Sequence, residues 1–203
     1  MRRFALLLGG PLLVTAALRE RLKAYRLMAA DSGARHALAL GHPLELWLGD
    51  FDSSPKWLHN ALSAPKEGLP REKDLTDGEA LVRKALELGA EELLLLGGIG
   101  GRLDHTLAHL ELSFLLAQKG VRVELTDGLT RAFPLLRGNH IFPLEEGTPF
   151  SLIPFSEATL GVEGARWNLP PTPLKATTLT LENQALGTLQ VRVERGRAVL
   201  YLF

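Results

Sequence analysis

Leu48-Gly49-Asp50-Phe51-Asp52-Ser53-Ser54 follows directly on the apolar run Leu44 to Leu48. Such a run broken by glycine reads as a buried strand, and carboxylates spaced i, i+2 on an extended chain point the same way. Asp50 and Asp52 then stand at the strand's carboxyl end, where open α/β sheets bind their ligands. A second acidic pair, Asp74 and Asp77, lies in Glu72-Lys73-Asp74-Leu75-Thr76-Asp77. If the fold brings the pairs together, each like-charge contact at ~4 Å costs about 4 kcal/mol at an effective dielectric of ~20. A divalent cation relieves that repulsion, and oxygen-only donors favour Mg²⁺ or Mn²⁺ over zinc. The plainer alternative is local: an Asx turn at Asp50 and Asp52 capping a helix after Pro55, with Asp74 and Asp77 as helix-dipole partners.

Working outward, the same strand-then-glycine pattern recurs. Phe4 to Leu8 ends at Gly9-Gly10-Pro11, Leu27 to Ala30 at Asp31-Ser32-Gly33, and Glu92 to Leu96 at Gly97-Gly98-Ile99-Gly100-Gly101. Helical periodicity follows these breaks over Leu12 to Ala24, Ala34 to Leu40 and Arg102 to Gln118. A further helix starts at Thr76, where Thr-x-x-Glu to Glu79 forms a capping box, and stops at Gly89. Ser54 to Arg71 reads as a helix and an exposed loop. Strands alternating with helices predict an α/β domain over residues 1–130, with a doubly wound, Rossmann-like parallel sheet. After about Thr130 the texture changes. Prolines punctuate short strands, no amphipathic helix remains, and Thr177 to Leu181, Thr188 to Val193 and Ala198 to Phe203 read as strands. Residues 131–203 are therefore expected to form a small all-β domain.

Bulk composition narrows the function. The 203 residues carry 23 basic and 23 acidic side chains, which cancel and leave no field favouring nucleic acid or an anionic membrane. Absence of cysteine removes disulfides, thiolate zinc sites and cysteine nucleophiles. Met1 to Gly10 lacks the apolar core and cleavage site of a signal peptide. No apolar run approaches the ~20 residues of a membrane span, so a cytoplasmic location is expected.

Gly97 to Gly101 is neither a Walker loop nor a Gly-x-Gly-x-x-Gly fingerprint. Backbone amides ahead of a helix N-terminus can nevertheless hold an anion, with Arg102 as a bidentate donor; the alternative is a tight turn. Asp104-His105 falls in the first turn of the helix. His105 and His109 have the i, i+4 spacing of zinc ligands, but the glutamate of His-Glu-x-x-His is missing, which argues against zinc.

Together the motifs resemble the thiamine pyrophosphokinase family. The matching segments are Ala30-Asp31-Ser32-Gly33-Ala34, Gly49-Asp50-Phe51-Asp52-Ser53, Lys73-Asp74-Leu75-Thr76-Asp77, Gly98-Ile99-Gly100-Gly101-Arg102-Leu103-Asp104-His105 and Ser151-Leu152-Ile153-Pro154, in the family's order. The resemblance implies a homodimer whose C-terminal domain is a β-sandwich serving substrate binding and dimerisation, with the active site between subunits. It implies transfer of diphosphate from ATP to the hydroxyl of thiamine, with AMP leaving. Asp50, Asp52, Asp74 and Asp77 would hold Mg²⁺, directly or through water. Lys73 and Arg102 would neutralise phosphate, Asp104 would position substrate or nucleotide with His105 in support, and Asp31, Gly100 and Gly101 would contact the nucleotide. Asn183, Thr180 and Trp167 would face thiamine, although Trp167 fits a core position equally well. The chain departs from the family pattern at Ser32, usually glycine, at Arg35, usually asparagine, and at Glu182. Other readings are a diphosphokinase for another hydroxyalkyl heterocycle such as a pterin, a nucleotide hydrolase, and a non-catalytic nucleotide or thiamine sensor.

Overall fold

Four consecutive residues of the first strand, Phe4, Ala5, Leu6 and Leu7, are fully buried, as a parallel strand covered on both faces requires. The computed structural model describes residues 1–203 apart from 53, 71–73 and 176. They form two compact units, Met1–Leu129 and Thr130–Phe203.

In the first unit, β1 (Arg3–Leu7) pairs in parallel with β2 (Arg26–Ala30) on one side and with β5 (Glu92–Leu96) on the other. β3 (Leu46–Gly49) and β4 (Lys66–Gly68) continue beyond β2, and β6 (Arg122–Thr126) beyond β5, all in parallel. The strand order is β6-β5-β1-β2-β3-β4. The order reverses between β1 and β5, so the loops leaving these strands part and open a crevice at the carboxyl edge.

The helices of this unit are α1 (Ala16–Leu22), α2 (Arg35–Leu40), α3 (Lys56–Ala61), α4 (Asp77–Glu87) and α5 (Leu103–Gln118). Leu18 and Leu22 of α1, Ala37 and Leu40 of α2 and Leu58 of α3 join Ala5, Leu7 and Trp47 in one buried cluster. α4 lies against β1, β2 and β3, and α5 against β6.

Two elements differ from expectation. The first helix begins at Ala16, not Leu12, because the Thr15 hydroxyl caps it by accepting the Leu18 N–H at 3.1 Å. The preceding segment is instead tied down by the Leu13 N–H, which donates to the Asp127 carbonyl at 2.7 Å. β4 stands where a loop was expected. Lys-Glu-Gly has no apolar pattern to announce it, and it exists through backbone bonds to β3, including Leu69 N–H to the Gly49 carbonyl at 2.9 Å.

The second unit is antiparallel throughout. Its strands are β7 (Arg131–Leu135), β8 (Gly138–Pro143), β9 (Pro149–Pro154), β10 (Ala158–Ala165), β11 (Leu169–Leu174), β12 (Asn183–Arg195) and β13 (Ala198–Leu202). They run in the order β11-β10-β12-β9-β13-β7, and β8 pairs with β12. Leu160, Val162, Leu189, Val191 and Leu200 belong to its buried core. No helix occurs here among the described residues. Thr177 to Leu181 is not a strand: the Thr180 hydroxyl is buried against the Leu152 carbonyl while Leu179 is exposed. β12, conversely, is much longer than Thr188 to Val193. Among the described residues no helix is long and apolar enough to cross a membrane.

The chain thus combines parallel and antiparallel β structure with α-helices confined, among the described residues, to its first unit.

Candidate active site

The reversal of strand order creates the crevice, and the loops there shape it. A cavity of about 520 Å³ is lined by Gly9 and Gly10 after β1, Gly97 and Gly98 after β5, Asp31 after β2 and Asp77 at the start of α4. Gly101, Arg102, His105 and His109 complete the side formed by α5. The helix carries no side-chain cap at Arg102, so its first N–H groups present a partial positive charge there.

Asp31, Asp50 and Asp77 converge, each offering a carboxylate oxygen within 4.8 Å of the other two. Asp31 and Asp50 meet because Ala30 pairs with Leu48, which sets the ends of β2 and β3 side by side. Gly49 permits the approach: a Cβ there would lie 3.1 Å from Asp31 Cβ and 3.2 Å from its backbone nitrogen. Asp77 arrives from the first turn of α4, where the Thr76 hydroxyl accepts the Glu79 N–H at 3.1 Å. At ~5 Å, each pair of carboxylates repels by roughly 3 kcal/mol at an effective dielectric of ~20, less after solvent screening. Three oxygen donors at this spacing fit a hard divalent cation.

Asp50 and Asp52 do not lie in an extended segment as expected. β3 ends at Gly49, and Phe51 between them has φ +61. Its ring packs edge-on to Trp47 at 5.3 Å and holds that turn. The Asp52 N–H donates to Asp50 Oδ1 at 3.1 Å, so the Asx turn and the acidic group coexist. The residue at the cap position of α3 is Pro55, and no side-chain cap is formed there among the described residues. Asp52 and Asp74 are exposed and outside the three-carboxylate group.

Arg102 and Asp104 are exposed and bound to each other, with Nη2 to Oδ2 at 2.6 Å and Nε to Oδ1 at 3.1 Å. This pairing holds the Asp104 carboxyl down at about 2. The depressed value means that the pair persists at neutral pH and is lost only as pH falls towards 2. In Arg102→Ala the carboxyl should return to the ordinary range near ~4, read by carbon-detected NMR titration of Asp104. An unchanged titration would show that Arg102 is not the cause.

His105 lines the cavity, its ring 6.0 Å from that of His109. His109 Nδ1–H donates to the Gly98 carbonyl at 2.8 Å, and burial lowers its pKa. It fastens the glycine loop to α5. Gly101 lines the cavity, whereas Gly100, with φ +82, turns the chain beside Asp127. Lys73 lies outside the described residues.

In the second unit, Asn183 is buried and staples two segments. Its Nδ2 donates to the Trp167 carbonyl at 2.8 Å, and its Oδ1 accepts the N–H groups of Trp167 and Gln184. Trp167 is 56% exposed, which removes the core alternative, and the Arg166 guanidinium lies 4.8 Å over its ring. Glu182 has φ +56, and its N–H donates to Ser151 Oγ.

The contacts that hold the glycine loop after β1 were not foreseen from the sequence. Arg35 donates to the Gly9 carbonyl at 2.7 Å and the Gly10 carbonyl at 3.2 Å, and His36 Nε2–H donates to the Gly10 carbonyl at 2.9 Å. The departure at Arg35 is therefore a clamp on the glycine loop. Thr106 lines the cavity and went unnoticed because a lone hydroxyl carries no pattern.

The family model for "Thiamin pyrophosphokinase, catalytic domain" matches residues 19–125, more than half of the chain. The chain belongs to the thiamin pyrophosphokinase family. The match runs from within α1 to within β6 and so includes Asp31, Asp50 and Asp77. Thiamine pyrophosphokinase from Bacillus subtilis is similar in fold, with a TM-score of 0.85 at 22% identity over 99% of this chain and 98% of that one. The enzymes from Candida albicans (TM-score 0.81, 14% identity, 98% and 89% covered) and yeast (0.79, 17%, 99% and 86%) share it too. No curated protein matches the sequence.

Proposed function

We infer that the chain is an Mg²⁺-dependent thiamine pyrophosphokinase that transfers diphosphate from ATP to the hydroxyl of thiamine, giving thiamine diphosphate and AMP. Family membership supports the reaction, and one observation carries its placement: three carboxylates converge beside a glycine-walled cavity at the point where strand order reverses.

The thiamine hydroxyl oxygen forms a bond to the β-phosphorus of ATP as the bond from that phosphorus to the α,β-bridging oxygen breaks. The leaving oxygen departs on AMP and the hydroxyl proton passes to solvent. Asp31, Asp50 and Asp77 would hold the cation, with Asp52 and Asp74 reaching it through water. When bound, the cation neutralises phosphate charge and orients the reacting oxygens. The first N–H groups of α5 and the Gly97–Gly101 loop are suited to phosphate oxygens. Arg102 reaches phosphate by exchanging Asp104 for it, and Lys73 adds positive charge. Asp104, with His105, positions substrate or nucleotide. Trp167 offers an aromatic face for thiamine, held by Asn183, and Thr180 supports the turn before it.

The first unit is read as a doubly wound, Rossmann-like catalytic domain over residues 1–130. Residues 131–203 are read as a β-sandwich that binds substrate and forms a homodimer, supported by exposed Ile141, Leu186 and Phe203. Sedimentation should then give twice the chain mass. A cytoplasmic location fits the requirement for ATP.

Incubation with ATP, Mg²⁺ and thiamine, followed by chromatography, should show AMP and thiamine diphosphate in equal amounts. EDTA should abolish both, and Mn²⁺ should restore them. AMP without an acceptor would indicate hydrolysis, turnover only with a pterin alcohol would replace the acceptor, and binding without turnover would indicate a sensor.

A further inference from the structure

Asp31 is gripped from two directions by residues to which the chemistry above gives no part. Its φ of +40 lies in the left-handed region, which is uncommon for residues other than glycine and tolerated best by Asp and Asn. Its carbonyl accepts the Trp47 indole N–H at 2.8 Å, and its Oδ1 accepts the Ser54 hydroxyl at 2.8 Å. Trp47 is fully buried, stacked on His59 at 4.6 Å and against Phe51 at 5.3 Å. Ser54 is 9% exposed, and its N–H donates to the Phe51 carbonyl at 3.2 Å. Trp47 lies in β3 and Ser54 in the turn that follows it, on either side of Asp50, so Asp31 is tied to the segment that carries its neighbour in the acidic group.

Mutual repulsion of the three carboxylates favours rotation of Asp31 about χ1, away from Asp50 and Asp77. The Ser54 hydroxyl opposes that rotation, because turning the carboxylate away would leave a buried donor facing no charge. It engages one carboxylate oxygen and so fixes where the other points. Trp47 fixes the backbone beneath it.

We propose that Ser54 is a positioning residue that sets the Asp31 carboxylate for a divalent cation, with Trp47 anchoring the Asp31 backbone. The proposal rests on reading Asp31, Asp50 and Asp77 as cation ligands. Residues that orient metal-binding carboxylates commonly change affinity by 10–100-fold when removed.

The test is a Mn²⁺ titration of the full chain, followed by the electron paramagnetic resonance of free Mn²⁺, with melting temperatures measured alongside. The native chain should bind, Asp31→Asn should lose most affinity, and Ser54→Ala should weaken binding about tenfold while remaining folded. If Ser54→Ala does not fold, Ser54→Cys, similar in size with a weaker donor, is read for the same loss. Native affinity in the readable Ser54 variant, with loss in Asp31→Asn, would overturn the proposal and leave the cation site standing. Native affinity in Asp31→Asn, or no binding by the native chain, would overturn both.

Discussion

Asp50→Asn is expected to lower kcat/KM for diphosphate transfer by about a thousandfold while leaving the chain folded. The variant keeps size and shape but removes one of three carboxylates within 4.8 Å of one another. A bound cation stabilises the transition state by several kcal/mol, and each ~1.4 kcal/mol is a factor of ten in rate. Without the cation, the same change relieves repulsion, so Tm should be unchanged or higher. These two signs together distinguish a ligand from a structural residue, whose removal lowers rate and Tm alike. Steady-state kinetics and a thermal melt in EDTA provide the readings. Asp74→Asn is the informative companion: exposed and outside the group, its loss should be nearer tenfold if it acts through water. Equal rates for Asp50→Asn and the native chain would sink the assignment of the acidic group.

Gly10→Ala is expected to raise KM for ATP at least tenfold and to lower Tm. A Cβ at residue 10 would lie 2.2 Å from the Gly97 carbonyl oxygen and 3.1 Å from its carbon. Both are backbone atoms, so no side chain can swing aside. The loops after β1 and β5 must then separate, and these loops wall the cavity. Arg35 and His36 resist the movement through their bonds to the Gly9 and Gly10 carbonyls. Overpacking of this kind costs about 1–3 kcal/mol. Gly68→Ala serves as the control, because a Cβ there meets nothing within 4 Å and Tm should move little. An unaltered KM in Gly10→Ala would show that ATP does not use this crevice.

Much of the first unit could be read along the chain. The apolar runs at Phe4, Leu27, Leu44 and Glu92 each end at or near glycine or Asx, and strands stand there, because burial on both faces leaves a continuous apolar signature. The Thr76 cap was equally legible, since its donor lies only three residues away. The reciprocal half expected of a capping box is replaced: the Glu79 carboxylate pairs with Arg83 at 2.7 Å, an i, i+4 contact that competes on the same helix. The glycine stretch before α5 also announced itself, as a break between a buried strand and a helix must.

The acidic group divides differently. Asp50 and Asp77 stood out as members of acidic pairs, and local spacing suggested that Asp52 would point with Asp50. Instead the packing of Phe51 on Trp47 and His59 forces φ +61 at residue 51, a conformation no local preference of phenylalanine predicts. Asp31 enters because the Ala30–Leu48 register sets the two strand ends side by side and Gly49 lets them close. Periodicity and caps arise from neighbours along the chain and can be read from it. Which carboxylates meet depends on strand register and on the burial of an aromatic turn, contacts between residues remote in sequence that exist only once the sheet has assembled.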